Sequence, residues 1–359
     1  MPNRLSWVTV VLCTLSPWVT AASLGAQELS RIGLDSTIAI DQFAGENAVG
    51  RPNVVIDISA VVNLGGGWQG IARPWIRQPR APRWDRQIYQ ALLQYERSGA
   101  ISTRIELGSI VSPIGLGMLD SRPGINPTIA GHTAYFTALP LFETGGARTH
   151  AIASTYPLGG QVTLSGRRWD ARGAVLASAP TRIYAINRPS NPQTTPVVAG
   201  GAGFAPRAGL RMGASFAVGD YATGAELTRP GRAGRGMTMG TVEGEYAFGY
   251  TKLAAEFGRT TLDTATESVQ AYTWFVQGMQ ALSPRWFVAG RQEGVSAPPA
   301  VGGPTIRRRA ILHSTETTVG FRWTRDLTMR GSFLARKPLT ATLCDQQAGV
   351  SLVWSHRWW

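Results

Sequence analysis

The chain has 359 residues, a formal charge of +13 from 35 Lys and Arg against 22 Asp and Glu, and only two cysteines. After its first segment it holds no apolar run of 18 residues, which excludes a helical membrane protein. A mean hydropathy of −0.05 does not exclude a β-barrel, because alternating apolar and polar residues cancel in an average.

Residues 1–26 have the layout of a secretory signal: Arg4, an apolar stretch from Trp7 to Val19, then small residues through Ala26. The apolar run is too short to cross about 30 Å of hydrocarbon and is interrupted by Pro17. Cys13 follows the bulky Leu12 within that run, so lipidation is not expected. The mature chain, 27–359, then keeps Cys344 alone, without an intramolecular disulfide or a cysteine metal site. Its basic excess suits anionic lipid or anionic solutes, and export disfavours nucleic acid. Glycine and proline are spread evenly, so no linker divides the chain.

The mature chain repeats a unit of about ten alternating residues closed by Gly, Pro, Ser or Asp, the length a tilted membrane-crossing strand needs. Strands are expected at 36–43, 53–63, 67–78, 86–97, 101–110, 146–156, 160–167, 170–179 and 181–187. They continue at 196–203, 207–219, 237–248, 250–260, 268–280, 284–292, 311–324, 327–337 and 347–357. This predicts an all-β, antiparallel transmembrane barrel of about 16–18 strands, the lower count applying if one pair is dropped or merged. The segment 86–97 would pass for an amphipathic helix by composition. Connections alternate between tight turns and longer loops, as in barrels with short periplasmic turns and long external loops, and the longest loop covers 111–145. The chain ends with Val350, Leu352, Trp354, His356 and Trp358 on one face, resembling the aromatic-ended last strand that barrel assembly machinery recognises, with Trp359 out of register.

The stretch Arg104-Ile-Glu-Leu-Gly-Ser-Ile-Val-Ser-Pro113-Ile-Gly115-Leu116-Gly-Met-Leu119-Asp-Ser121 resembles the strand-to-loop passage of phosphate-selective-type and related outer-membrane porins. There a glycine-bearing strand enters a Pro-x-Gly-Leu turn that begins a long loop. The resemblance implies a channel for passive diffusion of small hydrophilic solutes in the outer membrane of a Gram-negative-type bacterium, with 111–145 folded inward as the constriction. A lysine-rich anion ladder is missing, so phosphate selectivity is not carried over.

Strand phase projects Arg73, Arg77, Arg104, Arg172, Arg211, Lys252, Arg291, Arg322, Arg330 and Arg336 onto the lumen face, with the acids Asp57, Glu106, Glu243, Glu245 and Glu256. Ten cations against five acids would bias the pore toward anions, unless the charges only neutralise one another across strands. In the loop, Asp120, Arg122, His132 and Glu143 are candidates for an opposed-charge eyelet. Catalysis is not expected: His132, His150, His313 and His356 lie in no G-x-S-x-G or H-E-x-x-H setting, and His313 is in opposite phase to Ser314 and Glu316. No cofactor or metal is expected. The expected partners are outer-membrane lipid and lipopolysaccharide, the assembly machinery and small solutes, with a homo-oligomer left open. Arg307-Arg308-Arg309 could meet lipopolysaccharide phosphates or a neighbouring subunit, although a solvated charge run is the simpler reading. A non-conducting barrel that binds partners through its external loops is the alternative function.

Overall fold

The computed structural model describes residues 32–358 apart from 46–51, 79–83, 117–121, 142, 144–148, 154–155, 185–194, 228–233, 300–308 and 340–342. The expected signal segment, Asp120, Arg307, Arg308 and Trp359 lie outside the described residues. Sixteen antiparallel strands close into one barrel, each paired with its neighbours in sequence and the last with the first.

The strands are β1 (Ile32–Gly45), β2 (Asn53–Gly65), β3 (Trp68–Gln78), β4 (Asp85–Arg97), β5 (Ser102–Ser109), β6 (Leu158–Ser165), β7 (Trp169–Leu176) and β8 (Val197–Arg207). They continue as β9 (Leu210–Ala222), β10 (Arg235–Phe248), β11 (Thr251–Asp263), β12 (Ser268–Ala281), β13 (Trp286–Ala297), β14 (Ala310–Arg322), β15 (Leu327–Lys337) and β16 (Asp345–Arg357). The segment with helical composition is β4, where β-pairing on both sides overrides propensity.

Alternation places large apolar side chains outward. Val242, Phe257, Val276, Val319, Phe333 and Val350 are each about half exposed to the surroundings, while Glu243, Glu256, Gln277, Thr318 and Ser351 are buried inside. At the short-turn rim Trp68, Trp169, Phe248, Trp286, Trp323 and Trp358 stand outward, forming the aromatic girdle expected at a membrane interface. The turn after β2 uses Gly65, Gly66 and Gly67 at φ of 85°, 60° and 87°, a left-handed path that only glycine follows without strain. At Gly67 a Cβ would also fall 2.6 Å from the Glu96 carbonyl oxygen.

Among the described residues, two expected strands are absent. Within 146–156, Thr149, His150, Ala151, Ile152 and Ala153 are all at most 2% exposed, and the described part forms a single isolated bridge, Ala138 to His150. At the start of 181–187, Thr181 and Arg182 are likewise fully buried. A membrane strand needs one face for lipid, and these adjacent residues have none. Removing both segments lowers the count from eighteen to sixteen, reverses the direction expected for 160–167 and 170–179, and leaves the direction of the other strands as expected. The passage between β5 and β6 therefore runs from 110 to 157, longer than the expected 111–145.

Val350 faces lipid near mid-strand. Val350→Arg is expected to cost about 2–4 kcal/mol in denaturant unfolding from lipid vesicles, whereas a cost below about 0.5 kcal/mol would contradict the assignment of faces.

Candidate functional site: a loop docked on the inner wall

Among its described residues the passage 110–157 contains one short helix, α1 (Thr133–Phe136), and no strand. Its backbone polar groups lie inside the barrel and need partners that secondary structure does not supply. Three inward glutamates on β11, β13 and β14 supply acceptors. Glu256 accepts the Leu116 N–H at 2.5 Å and the Tyr135 hydroxyl at 2.6 Å. Glu293 accepts the N–H groups of Thr133 at 2.9 Å and Ala134 at 3.2 Å. Glu316 accepts those of Ile129 at 2.8 Å and Ala130 at 3.1 Å.

Inward arginines supply the donors. Arg291 donates to the carbonyl of Ala130 at 2.7 Å and pairs with Glu316 at 3.2 Å. Arg330 donates to the carbonyls of Asn126 at 2.6 Å and Thr128 at 2.8 Å. Arg73, paired with Asp57, donates to the Tyr156 hydroxyl at 2.7 Å near the far end of the passage. Gly115 sits where the chain meets the wall: its φ is 76°, and a Cβ there would fall 2.7 Å from both Glu256 Oε2 and the Tyr135 hydroxyl.

The other side of the passage is apolar. Ile110, Ile114, Tyr135, Leu139, Leu141 and Ile152 join one core with Leu176, Val197, Met237, Met239, Leu262, Val269, Phe275, Val295 and Leu312 from β7–β14. The inward face of these strands is thus apolar toward the loop end and polar toward the turn end. Strands apolar on both faces, such as Val269 to Phe275, were the signal in the sequence that something covers the inside.

The residues named for the lumen stand on inward strand positions, but they do different things. Arg73, Glu256, Arg291 and Arg330 are buried against the docked passage. Arg172 and Arg211 form a network with Glu243 and Asp170, at 3.6 Å for Arg172 to Glu243 and 2.8 and 2.9 Å for Arg211 to Glu243 and Asp170. Arg104 pairs with Glu96 at 3.4 Å, and Arg77 with Asp85 at 3.3 Å. Glu106 accepts from Gln161 at 3.0 Å. Arg322 lies over the Phe287 ring at 5.1 Å. Glu245, Lys252 and Arg336 are partly buried on the same inward phase.

The sequence reading missed Asp41, Asp85, Glu96, Asp170, Glu293, Glu316 and Asp345, all on inward positions. With Asp35, Arg235 and Arg357, which share the inward phase, twelve cations stand with thirteen acids among the described strand residues, and the ten-to-five imbalance does not hold. Parity alone would have found most of them: Glu316 shares its phase with Arg322, and Asp170 with Arg172. Glu293 fell one residue beyond the expected end of its strand.

Of the eyelet candidates, His132 is fully buried with its Nδ1 3.6 Å from Glu293 Oε2 and its ring 4.8 Å from that of Phe275. Glu143 ties the passage to the loop rim, pairing with Arg235 at 3.2 Å and accepting the Ala265 N–H at 3.0 Å. The Arg122 carbonyl closes a turn by accepting the N–H groups of Ile125 and Asn126. A second inward segment follows β7: Arg182 donates to the Thr149 hydroxyl at 2.9 Å and to Glu226 at 2.8 Å. Burial pushes the Arg182 guanidinium below its ordinary pKa, and Glu226 opposes that.

Glu316→Leu leaves the Ile129 and Ala130 N–H groups without acceptors in a dry site, and each charge-assisted bond is worth about 1.5–3 kcal/mol. Hydrogen exchange at these two amides is expected to accelerate at least about tenfold, with the amides of β9–β12 unchanged. Equal exchange in both proteins would mean that Glu316 does not hold the loop.

No protein-family model and no curated protein matches the sequence; the likeness lies among solved structures. OmpF of Salmonella typhi in complex with daunomycin superposes with a TM-score of 0.62 at 11% identity, covering 90% of this chain and 97% of that one. The outer-membrane channel DcaP of Acinetobacter baumannii gives 0.58 at 9% identity, covering 93% and 100%. An anion-selective porin from Comamonas acidovorans gives 0.54 at 12% identity, covering 91% and 98%. The chain has the fold of the outer-membrane porins, a closed sixteen-stranded transmembrane β-barrel.

Proposed function

We propose that the protein is a porin-like channel of the Gram-negative outer membrane for passive diffusion of small hydrophilic solutes, and that it breaks no bond. The observation that carries this reading is the passage 110–157 held inside a closed barrel by wall charges, leaving inward polar residues of β3–β9 partly accessible. Side-chain exposures of 39% at Arg77, 18% at Arg104 and 18% at Arg211 support contact with solvent in the lumen.

For solute charge we propose a weak preference for anions. Its support is that Arg77, Arg104, Arg172 and Arg211 stand on the wall that the apolar core leaves open, while Glu256, Glu293 and Glu316 are covered by the passage. Their pairing with acids limits the effect to a few-fold and makes it salt-sensitive. The extent of the apolar packing favours a second reading, a closed barrel that binds partners through its external loops.

Planar-bilayer recording separates the two. The channel reading expects discrete conductance steps from the intact protein and a larger step after deletion of residues 122–139. A closed barrel gives a silent intact protein that conducts only after the deletion. Arg104→Gln with Arg172→Gln is expected to reduce the anion-to-cation permeability ratio measured by reversal potential, and an unchanged ratio would remove these arginines from the selectivity argument.

A further inference from the structure

On the lipid-facing side of the barrel, near the end that carries the long loops, two arginines flank a tyrosine. Arg259 of β11 and Tyr272 of β12 are directly paired across the ladder, and Tyr272 is paired with Ser296 of β13. Arg309, immediately before β14, lies over the Tyr272 ring at 5.3 Å from the centroid and donates to the Ser296 hydroxyl at 3.2 Å. The Tyr272 hydroxyl donates to Gln270 at 2.6 Å. Arg259 and Arg309 are both exposed, and neither forms an ion pair among the described residues. Arg259 shares the outward face of Phe257 and alternates with the inward, buried Thr260, so it points to the membrane and away from the lumen.

Height along the barrel fixes what these groups meet. From Tyr250, exposed in the short turn between β10 and β11, nine residues at about 3.3 Å each, tilted by about 40°, carry the chain up by roughly 23 Å. The apolar band of such barrels is about 25 Å tall. Arg259, Tyr272 and Arg309 therefore lie at the headgroup level of the leaflet on the long-loop side. An arginine there is tolerated at little cost, and a phosphate offers two anionic oxygens that the planar guanidinium fork can engage together.

We propose that Arg259 and Arg309, with Tyr272 between them, form a clamp for a phosphate of an outer-leaflet glycolipid of the lipopolysaccharide type. Lipid belongs there because the clamp stands on the barrel wall, below the loops, where acyl chains of the same molecule can lie along outward Phe257, Trp274 and Ile311. The inference rests on the outer-membrane orientation but not on conduction, so it stands or falls separately from the channel reading.

The test uses the full mature barrel in detergent micelles and native mass spectrometry, titrating an acylated, doubly phosphorylated glucosamine disaccharide. R259Q/R309Q is expected to weaken binding at least tenfold, with each single change causing a smaller loss. R285Q/R357Q, at the opposite rim, should leave it unchanged, and both double variants should keep the heat-modifiable gel migration of the folded parent. The same glycolipid with its phosphates removed should bind the parent as weakly as the intact glycolipid binds R259Q/R309Q. Equal binding by parent and R259Q/R309Q would overturn the proposal, as would equal binding of the dephosphorylated lipid. Phosphatidylglycerol or inorganic phosphate binding as tightly as the glycolipid would overturn it too, reducing the site to a general anion contact.

Discussion

A stretch of non-strand backbone inside a membrane barrel can exist only where every buried N–H and C=O finds a partner. In this protein the wall provides those partners. Glu256, Glu293 and Glu316 take the amide hydrogens of the passage 110–157, and Arg291 and Arg330 take its carbonyls. The charges that anchor the passage also neutralise one another, since Arg291 lies 3.4 Å from Glu293 and 3.2 Å from Glu316. Such a lattice is stable only when complete, because removal of one member leaves an uncompensated charge in a dry site.

From this constraint follows the division of the interior. Toward the loop end, β7–β14 carry apolar side chains inward because they pack against the passage; toward the turn end, the wall is polar. On β8 and β9 the inward glycines Gly201, Gly203 and Gly213 leave room for charged side chains to lie flat: a Cβ would meet Arg172 Nε at 3.1 Å, Arg211 and Asp170 at 2.4 Å, or Glu243 at 2.8 Å, respectively. A bulkier residue there would push the network into the lumen. The inward charges therefore fall into two groups, those that hold the loop and those that pair with one another along the polar wall.

The barrel was legible because lipid imposes a simple rule on every strand. Val242, Tyr246 and Phe248 outward with Glu243 and Glu245 inward is a pattern that sequence phase reveals directly. The segments at 146–156 and 181–187 misled because short alternation also arises in a packed loop, where Ala151, Ile152 and Ala153 are buried on all sides. The length of the passage pointed to an inward loop, yet its contacts were not legible: no spacing rule brings Ile129 to Glu316, 187 residues away. Charge counting failed for a different reason. It treated each inward charge as facing water, whereas Arg73, Arg291 and Arg330 face protein.

If the loop fixed to the wall narrows the barrel of sixteen strands without closing it, solutes are sorted by size. Liposome swelling with a graded series of uncharged sugars tests it most directly. Rapid swelling with the smallest sugars and a sharp fall at a size well below the bore of an unobstructed barrel are expected. No swelling with any sugar, or swelling that continues undiminished to the largest, would contradict it.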